Sequence, residues 1–218
     1  MATIVEDVTH GQLEEVKRMA KAAGVGKDLF QTEFLDNGAL ASLFRRVGEK
    51  SVKPPLLTEI DTVELPSVER FVAADAFGPN NPDGIRFFLG DNFKKLFFGK
   101  TEANVHAATL AIHRLNRKSV DEPIRRELTP SREETALAHF YELIKRQPRG
   151  ERGKLPTDGT LIIAYIYDVN EIGGDNGKGT LWAVGADWNS FSAGWSVNAL
   201  SVEDPFPWLQ GRRVLSRK

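Results

Sequence analysis

The segment GGDNGKGT, residues 173–180, is similar to a phosphate-binding loop because it is rich in glycine and contains Gly177 followed by Lys178. A phosphate-binding loop needs the spacing G-x-x-x-x-G-K-[ST], and it must open a helix whose N-terminal amides bind the anion. Only three residues separate Gly173 from Gly177, Gly179 stands where the magnesium-binding hydroxyl belongs, and a strand-like segment follows. The pattern therefore predicts a long hairpin loop and no nucleotide site.

The same region contains oxygen ligands for a cation but lacks the full pattern of a calcium-binding loop. Ile172 occupies a ligand position, and no glutamate closes the loop at position 179. Weak cation binding through Asp168, Asn170 and Asp175 stays open as an alternative. We expect no resident metal and no cofactor.

Acid–base chemistry has few recognisable sequence patterns here. The four histidines lack the spacing of metal ligands on a helix, and no G-x-S-x-G elbow marks a nucleophilic serine. Asp91, in the segment LGDNF (89–93), lies between a predicted strand and a predicted helix, a position typical of active-site loops and equally of helix caps. An enzyme with an unrecognised site, assembled from residues distant in sequence, remains one alternative.

Aromatic and basic residues indicate binding more than catalysis. All four tryptophans lie between residues 182 and 208, and the segment DPFPW (204–208) is the best candidate for exposed aromatic side chains, Phe206 and Trp208. The connector 145–154 contains proline and glycine, which predicts a mobile segment, and it is strongly basic. Its cations, which could grip nucleic acid beside an aromatic sheet, are Lys145, Arg146, Arg149, Arg152 and Lys154.

Composition limits these interpretations. The chain has 218 residues, a net charge of -1 and no cysteine, so disulfides, thiolate catalysis and cysteine-ligated metals are excluded, and no global basic field attracts nucleic acid. The N-terminal residues contain no secretory signal, and no apolar run approaches the roughly 20 residues of a membrane span. We therefore expect a soluble, cytoplasmic protein without a membrane partner.

Sequence patterns typical of helices, strands and a linker divide the chain into two parts. A capping-box pattern begins at Thr9, helical spacing continues to Ala23, and two further short helices are predicted up to Gly48, so residues 1–50 indicate a helical N-terminal unit. The two prolines of KSVKPP (50–55) mark a linker.

Residues 56–218 indicate a second, α+β domain. Its mixed middle has predicted strands over 58–65, 85–89 and 108–115, a short helix opened by Ser67, and a helix over 132–147 opened by the capping box SREE. The last 59 residues predict an antiparallel sheet of three to four strands in which Trp188 pairs with Trp195. We expect its tryptophan face to pack on the helix over 132–147.

Five blocks of sequence look familiar together: VERFVAADAF (68–77), FLGDNFKKLFFGKTE (88–102), and residues 108–128, 135–153 and 181–218. They resemble a family of uncharacterised, hypothetical small soluble proteins from bacteria with reduced genomes. The resemblance covers roughly residues 60–218, a length within the usual range for one domain. It implies a bacterial protein without a signal peptide, and it transfers no activity, cofactor or site residue.

The sequence therefore favours a non-catalytic module that binds another protein, because no catalytic constellation meets the spacing tests. A nucleic-acid-binding protein that uses the basic 145–154 connector and the C-terminal aromatic sheet is the first alternative. An enzyme with an unrecognised site is the second alternative.

Overall fold

A computed structural model describes residues 10–29, 31–32, 38, 42, 54–168 and 179–218. The chain divides into two compact units, Met1–Pro54 and Pro55–Lys218. Among the described residues, no helix combines the length and apolar character that crossing a membrane would require. Most of the predicted second and third helices, residues 30–48, and most of the glycine-rich loop, residues 173–178, lie outside the described residues.

The described part of the first unit confirms its first predicted helix. Helix α1 spans His10–Ala22, and the short helix α2 spans Lys27–Leu29. Gly24 ends α1 with a φ of 74°, and the Val25 amide donates a 3.0 Å hydrogen bond back to the Ala20 carbonyl. This is the glycine-terminated arrangement that satisfies the last carbonyls of a helix.

The second unit is built around one large mixed sheet. Its strands and those of a separate pair are β1 (Leu57–Leu65), β2 (Val68–Val72), β3 (Phe87–Leu89), β4 (Thr101–Val105), β5 (Ala108–Leu115), β6 (Ile162–Tyr167), β7 (Leu181–Asn189), β8 (Gly194–Ser201) and β9 (Arg213–Arg217). The large sheet has the order β1-β5-β9-β6-β7-β8-β3, and β2 pairs with β4. Strand β9 is parallel to β6 and β3 is parallel to β8, while the other neighbours are antiparallel.

In the described part of the second unit, five helices accompany the sheet: α3 (Ala73–Phe77), α4 (Asp91–Phe97), α5 (Asp121–Leu128), α6 (Pro130–Glu133) and α7 (Leu137–Lys145). The α+β class predicted from the sequence is confirmed. The sheet is larger than the predicted three to four strands, because strands from the middle of the chain join the C-terminal ones on both sides.

The two faces of the sheet carry different cores. On the inner face, the alternating residues Val184, Ala186 and Trp188 pack in one cluster with Phe93 of α4 and Phe140 of α7. The predicted cover of the tryptophan face by a helix is thus confirmed for this face. Burial of a large side chain such as Val184, Phe93 or Phe140 contributes about 1.5–3 kcal/mol, so this face anchors the helices to the sheet.

The outer face is covered over only part of its width. Ile124 and Leu128 of α5 pack on Tyr165 and Ala183, and Trp208 closes the cluster from the loop before β9. Towards β8 and β3, the outer face carries polar residues and glycines instead.

Two local predictions were wrong. Residues 68–72 form strand β2, not a helix opened by Ser67, because their backbone pairs with β4. The SREE segment does not open the long helix: α6 ends at Glu133, whose carboxylate pairs with Arg125, and α7 starts at Leu137. Both outcomes depend on partners distant in sequence, which local spacing does not reveal.

Candidate functional site

A cleft of about 760 Å³ opens beside strand β3. It is lined by β3, by the segment 77–86 that leads into β3, and by Lys94 and Phe98 from α4 and its end. We call this cavity the β3 cleft. Its volume lies within the roughly 300–1,000 Å³ of ligand-binding clefts.

Strand β3 is the last strand of the sheet, so only one of its sides is paired within it. The Trp195 amide donates to the Arg86 carbonyl at 2.8 Å, and the Gly90 amide donates to the Val197 carbonyl at 2.8 Å. In a parallel pair, alternate residues direct both backbone groups to the same neighbour. The backbone groups of the even-numbered residues from Arg86 to Gly90 therefore point towards β8.

Phe87 and Leu89 are the odd-numbered residues of β3, and their N–H and C=O groups point away from β8. On that side, no strand among the described residues accepts from or donates to these groups. An unpaired strand edge is a template on which another extended chain can add. The side chains of Phe87 and Leu89 pack against the inner core, which holds this edge in place.

Two sets of buried contacts stabilise the other walls of the β3 cleft. Phe93 and Phe97 are fully buried, and their rings stack with centroids 5.4 Å apart, which fixes α4 against the sheet. The side chain of Asn81 closes the preceding loop: its Oδ1 accepts from the Ile85 amide at 2.9 Å, and its Nδ2 donates to the Ile85 carbonyl at 2.5 Å. Because these contacts are buried, the cleft has rigid walls.

The cleft is apolar and carries positive charge. Its aromatic wall is formed by Phe77, Phe87, Phe88 and Phe98, and its charged residues among the described lining are Arg86 and Lys94. Arg86 and Lys94 are exposed, so their charges face solvent at the edge of an apolar surface. This combination favours a ligand with both apolar and anionic groups.

Phe191 is an exposed aromatic residue outside the lining of this cleft. It lies in the turn between β7 and β8, and its side chain is 98% exposed. The next residue, Ser192, accepts a 3.0 Å hydrogen bond from Arg86 Nη1 through its carbonyl oxygen, so the turn contacts the strand that lines the cleft. A fully exposed phenylalanine beside a cleft is a typical anchor for a protein partner.

Asp91, the acidic residue singled out from the sequence, begins α4 next to this cleft. Its side chain is fully exposed, and its nearest charged partner is Lys94, 4.0 Å away. It does not cap the helix through its side chain, because Gly90 is the N-cap residue. The structure brings Asp91 together with no histidine or second carboxylate that could make it an acid–base residue among the described side chains.

The basic connector is tied to the domain by a buried amide. Gln147 Nε2 donates to the carbonyls of Glu151 at 2.7 Å and Leu155 at 3.0 Å, and Gln147 Oε1 accepts from the Leu155 amide at 2.8 Å. The Gln147 carbonyl accepts from the Trp195 indole at 3.0 Å. The connector that the sequence predicts to be mobile is therefore folded around one side chain.

Several of the connector's cations already have acidic or carbonyl partners. Lys145 lies 3.4 Å from Asp83 and 3.5 Å from Glu142, and these carboxylates raise the pKa of the Lys145 ammonium although partial burial opposes them. Arg146 Nη2 donates to the Glu64 carbonyl at 2.5 Å.

Lys154 contacts both carboxylate oxygens of Asp61, at 2.5 and 2.6 Å. Arg149 and Arg152 are exposed. Because the cations are spread among neighbouring acids, these contacts give less support to a nucleic-acid interface than the sequence pattern does.

The two candidate aromatic residues differ in their surroundings. Phe206 is 80% exposed. Trp208 is half-buried, and its indole donates a 2.7 Å hydrogen bond to Asp121, which also accepts from the Tyr165 hydroxyl at 2.7 Å. Burial raises the pKa of the Asp121 carboxyl, although both hydrogen bonds work in the other direction. Trp208 is thus a structural partner of a buried acid.

One serine–histidine contact exists among the described residues, but it is inaccessible. His113 Nε2 and Ser216 Oγ are 2.9 Å apart on the outer face, and Ser216 has no exposed surface. Burial lowers the pKa of the His113 imidazole. A nucleophile must reach its substrate, so this pair serves packing. The described residues include no group of three or more histidine or acidic side chains placed to bind a metal ion.

Sequence reasoning missed the residues of the β3 cleft, apart from the adjacent Asp91. The sequence feature that could have indicated this cleft is the cluster of phenylalanines in residues 87–98, which also contains Lys94. No family model matches the chain, and neither the curated proteins nor the solved structures contain a match to it.

Proposed function

We propose that this protein is a non-catalytic interaction module that binds an extended segment of a partner protein along strand β3. The observation that carries this proposal is the unpaired edge of β3, which lies directly beside the apolar β3 cleft. An added strand would gain backbone hydrogen bonds from the edge and side-chain contacts from the cleft. Strand addition of this kind is a recurrent mode of peptide recognition.

Backbone complementarity supplies the first part of the binding. Phe87 and Leu89 each offer one N–H and one C=O group to an incoming chain, which makes four hydrogen bonds available. Each such bond contributes a net of about 0.5–1.5 kcal/mol, because it replaces hydrogen bonds to water. The hydrogen bonds of the strand edge therefore orient the incoming chain, but tight binding also requires side-chain contacts in the β3 cleft.

Side-chain complementarity supplies the second part. Successive side chains of an extended peptide point to opposite sides, so alternate residues of the partner lie beside Phe87 and Leu89 while the others lie beside Arg86 and Phe88. The cleft side is apolar and aromatic, and the described residues lining it include Arg86 and Lys94 but no acid. We therefore expect a partner segment that alternates apolar residues with glutamate or aspartate.

A titration with a defined peptide tests this proposal. The probe is a capped six-residue peptide in which glutamate alternates with isoleucine and phenylalanine, and its control replaces each glutamate with lysine. Amide chemical shifts of the isotope-labelled protein report binding. We expect saturable shifts at β3 and α4 with the acidic peptide, and much weaker shifts with the lysine peptide, because rim charges select the partner.

Lys94→Glu and Lys95→Glu form a matched pair of variants on α4. Both lysines are exposed, but only Lys94 lines the β3 cleft. We expect Lys94→Glu to weaken binding of the acidic peptide by about tenfold at low salt, and Lys95→Glu to have a much smaller effect. Equal effects of the two substitutions, or shifts confined to another face, would refute the assignment of the site.

A further inference from the structure

A second concavity lies on the outer face of the sheet, on the other side of β3. It encloses about 340 Å³ over strands β7 and β8, between the side chains of Phe88 and Leu161. We call it the outer-face pocket. It shares Phe88 and Leu89 with the β3 cleft, but its polar residues belong to β7 and β8.

The strand register places the polar residues of this pocket in facing positions. Asp187 of β7 lies opposite Ser196 of β8, and Gly185 lies opposite Asn198. Their neighbours Val184 and Val197 point to the inner core, so these four residues point to the outer face. A carboxylate, a hydroxyl and an amide therefore converge on one small area.

Asp187 is the charged group of the pocket. It is half-buried, and its carboxylate makes no side-chain hydrogen bond or ion pair with another described residue. Partial burial raises the pKa of its carboxyl, while the more distant positive charge of Arg212 lowers it. A carboxylate that is withdrawn from water without a partner is costly, and an incoming cation would relieve that cost.

Glycines keep the pocket open. A side chain at Gly185 would come within 3.2 Å of Leu161, and a side chain at Gly90 would overlap Asn198 Oδ1. Asn198 Oδ1 accepts the Ala199 amide at 2.9 Å. The floor is thus bare backbone, with polar groups along one side and apolar walls at both ends.

We propose that the outer-face pocket binds a small ligand with a protonated primary amine, held by Asp187 and Ser196, and with a flat apolar group between Phe88 and Leu161. Its volume is near the lower limit for ligand pockets, which restricts the ligand to about the size of one ring and its substituent. An ammonium group has three donors, and the two carboxylate oxygens of Asp187 and the Ser196 hydroxyl can accept them.

Benzylammonium is the probe for this site, and benzyl alcohol is its uncharged control. Each is titrated into the full chain while the amide signals of Gly185 and Ser196 are followed. We expect saturable shifts with benzylammonium and binding of benzyl alcohol that is weaker by roughly tenfold or more, since a charge-assisted hydrogen bond is lost. Equal binding of the two probes, or no saturable shift with benzylammonium, would overturn the proposal.

Asp187→Asn tests the carboxylate, and Glu203→Gln, which removes an exposed charge elsewhere, is its control. We expect Asp187→Asn to weaken benzylammonium binding by roughly tenfold without loss of fold, since it removes an unpaired charge. Gly185→Ala places a methyl group in the floor and should weaken both probes. A benzylammonium affinity that stays unchanged in Asp187→Asn and Gly185→Ala would exclude this pocket as the site.

Discussion

The guanidinium carbon of Arg86 lies 5.0 Å from the centroid of the Phe88 ring, two residues along strand β3. The same guanidinium donates to the Ser192 carbonyl at 3.0 Å. A contact between a cation and an aromatic ring contributes about 0.5–1 kcal/mol at an exposed site. Arg86 therefore contacts both Phe88 and the turn between β7 and β8, and its exposed charge is accessible to an acidic partner.

Arg86→Gln should weaken binding of the acidic peptide at the β3 edge. The substitution removes the charge but keeps a polar side chain, so the fold should be retained. We expect a loss of about threefold to tenfold at low salt, which shrinks as the salt concentration rises. Peptide titration at two salt concentrations measures both effects.

Arg149→Gln is the matched control, because Arg149 is an exposed cation of the connector away from the cleft lining. Its peptide affinity should equal that of the unmodified protein. If Arg149→Gln costs as much as Arg86→Gln, the peptide responds to overall charge and not to the β3 cleft.

Gly150→Ala should destabilise the protein because the connector packs tightly on the tryptophan face. Gly150 has a φ of 71°, and an added Cβ would overlap Cε2 of Trp188. Backbone strain and overpacking together should lower the free energy of unfolding by roughly 2–4 kcal/mol. Urea denaturation followed by tryptophan fluorescence measures the change.

Gly159→Ala separates these two causes. Gly159 also has a positive φ, 82°, but no atom lies within 4 Å of its added Cβ. Its cost should be limited to backbone strain, about 1 kcal/mol. Equal costs for the two substitutions would mean that the contact between Gly150 and Trp188 is absent in solution.

Trp208→Phe should destabilise the domain although Trp208 is only half-buried. The substitution keeps an aromatic ring but removes the indole N–H that donates to Asp121, an acid with only 1% of its surface exposed. Loss of one hydrogen bond to a buried carboxylate should lower the free energy of unfolding by about 1–3 kcal/mol. Phe206→Ala, at an 80% exposed position, should leave thermal stability unchanged, so similar losses for both would contradict these assignments.

His113 should make the domain less stable in mild acid. Burial lowers the pKa of His113 in the folded state, and the charge of Arg132 acts in the same direction. Below the ordinary histidine pKa, the unfolded chain therefore binds more protons than the folded chain, and the free energy of unfolding falls as the pH decreases. Urea denaturation between about pH 7 and about pH 5 should show this fall.

His113→Gln should reduce the slope of that pH dependence, because it removes one of the titrating groups. It should not abolish the slope, since burial also lowers the pKa of His139. An unchanged slope in His113→Gln would show that His113 titrates alike in the folded and unfolded chains.

Local alternation was enough to predict the C-terminal hairpin. The spacing of tryptophans predicts that Trp188 pairs with Trp195, and the register confirms this pair, with ring centroids 5.6 Å apart. The side-chain period of two fixes which residues share a face, so register and burial follow together.

The helix predicted to start at the SREE segment fails for a tertiary reason. Glu134, the glutamate of the predicted capping box, has an extended backbone and forms a β-bridge with Tyr165. The carboxylate of Glu102, from β4, accepts the amides of Leu137 and Ala138 at the actual start of α7. Glu102 is 35 residues away from Leu137 along the chain. Local spacing cannot anticipate a cap supplied from such a distance.

The β3 cleft could not be predicted for a similar reason. The IRFFL segment indicates a strand, but its position at the edge depends on the order of seven strands from the whole domain. Asp61 and Asp83, which pair with Lys154 and Lys145 of the basic connector, are likewise distant from it in sequence. Charge patterns along the chain do not reveal such pairs.

Hydrogen exchange at the backbone amides of Phe87 and Leu89 tests strand addition at β3 most directly. In the free protein these amides point away from β8 and should exchange with solvent much faster than the Gly90 amide, which donates to Val197. Saturation with the acidic peptide should protect both amides while the Gly90 amide changes little. Peptide binding without protection of Phe87 and Leu89 would contradict strand addition at this edge.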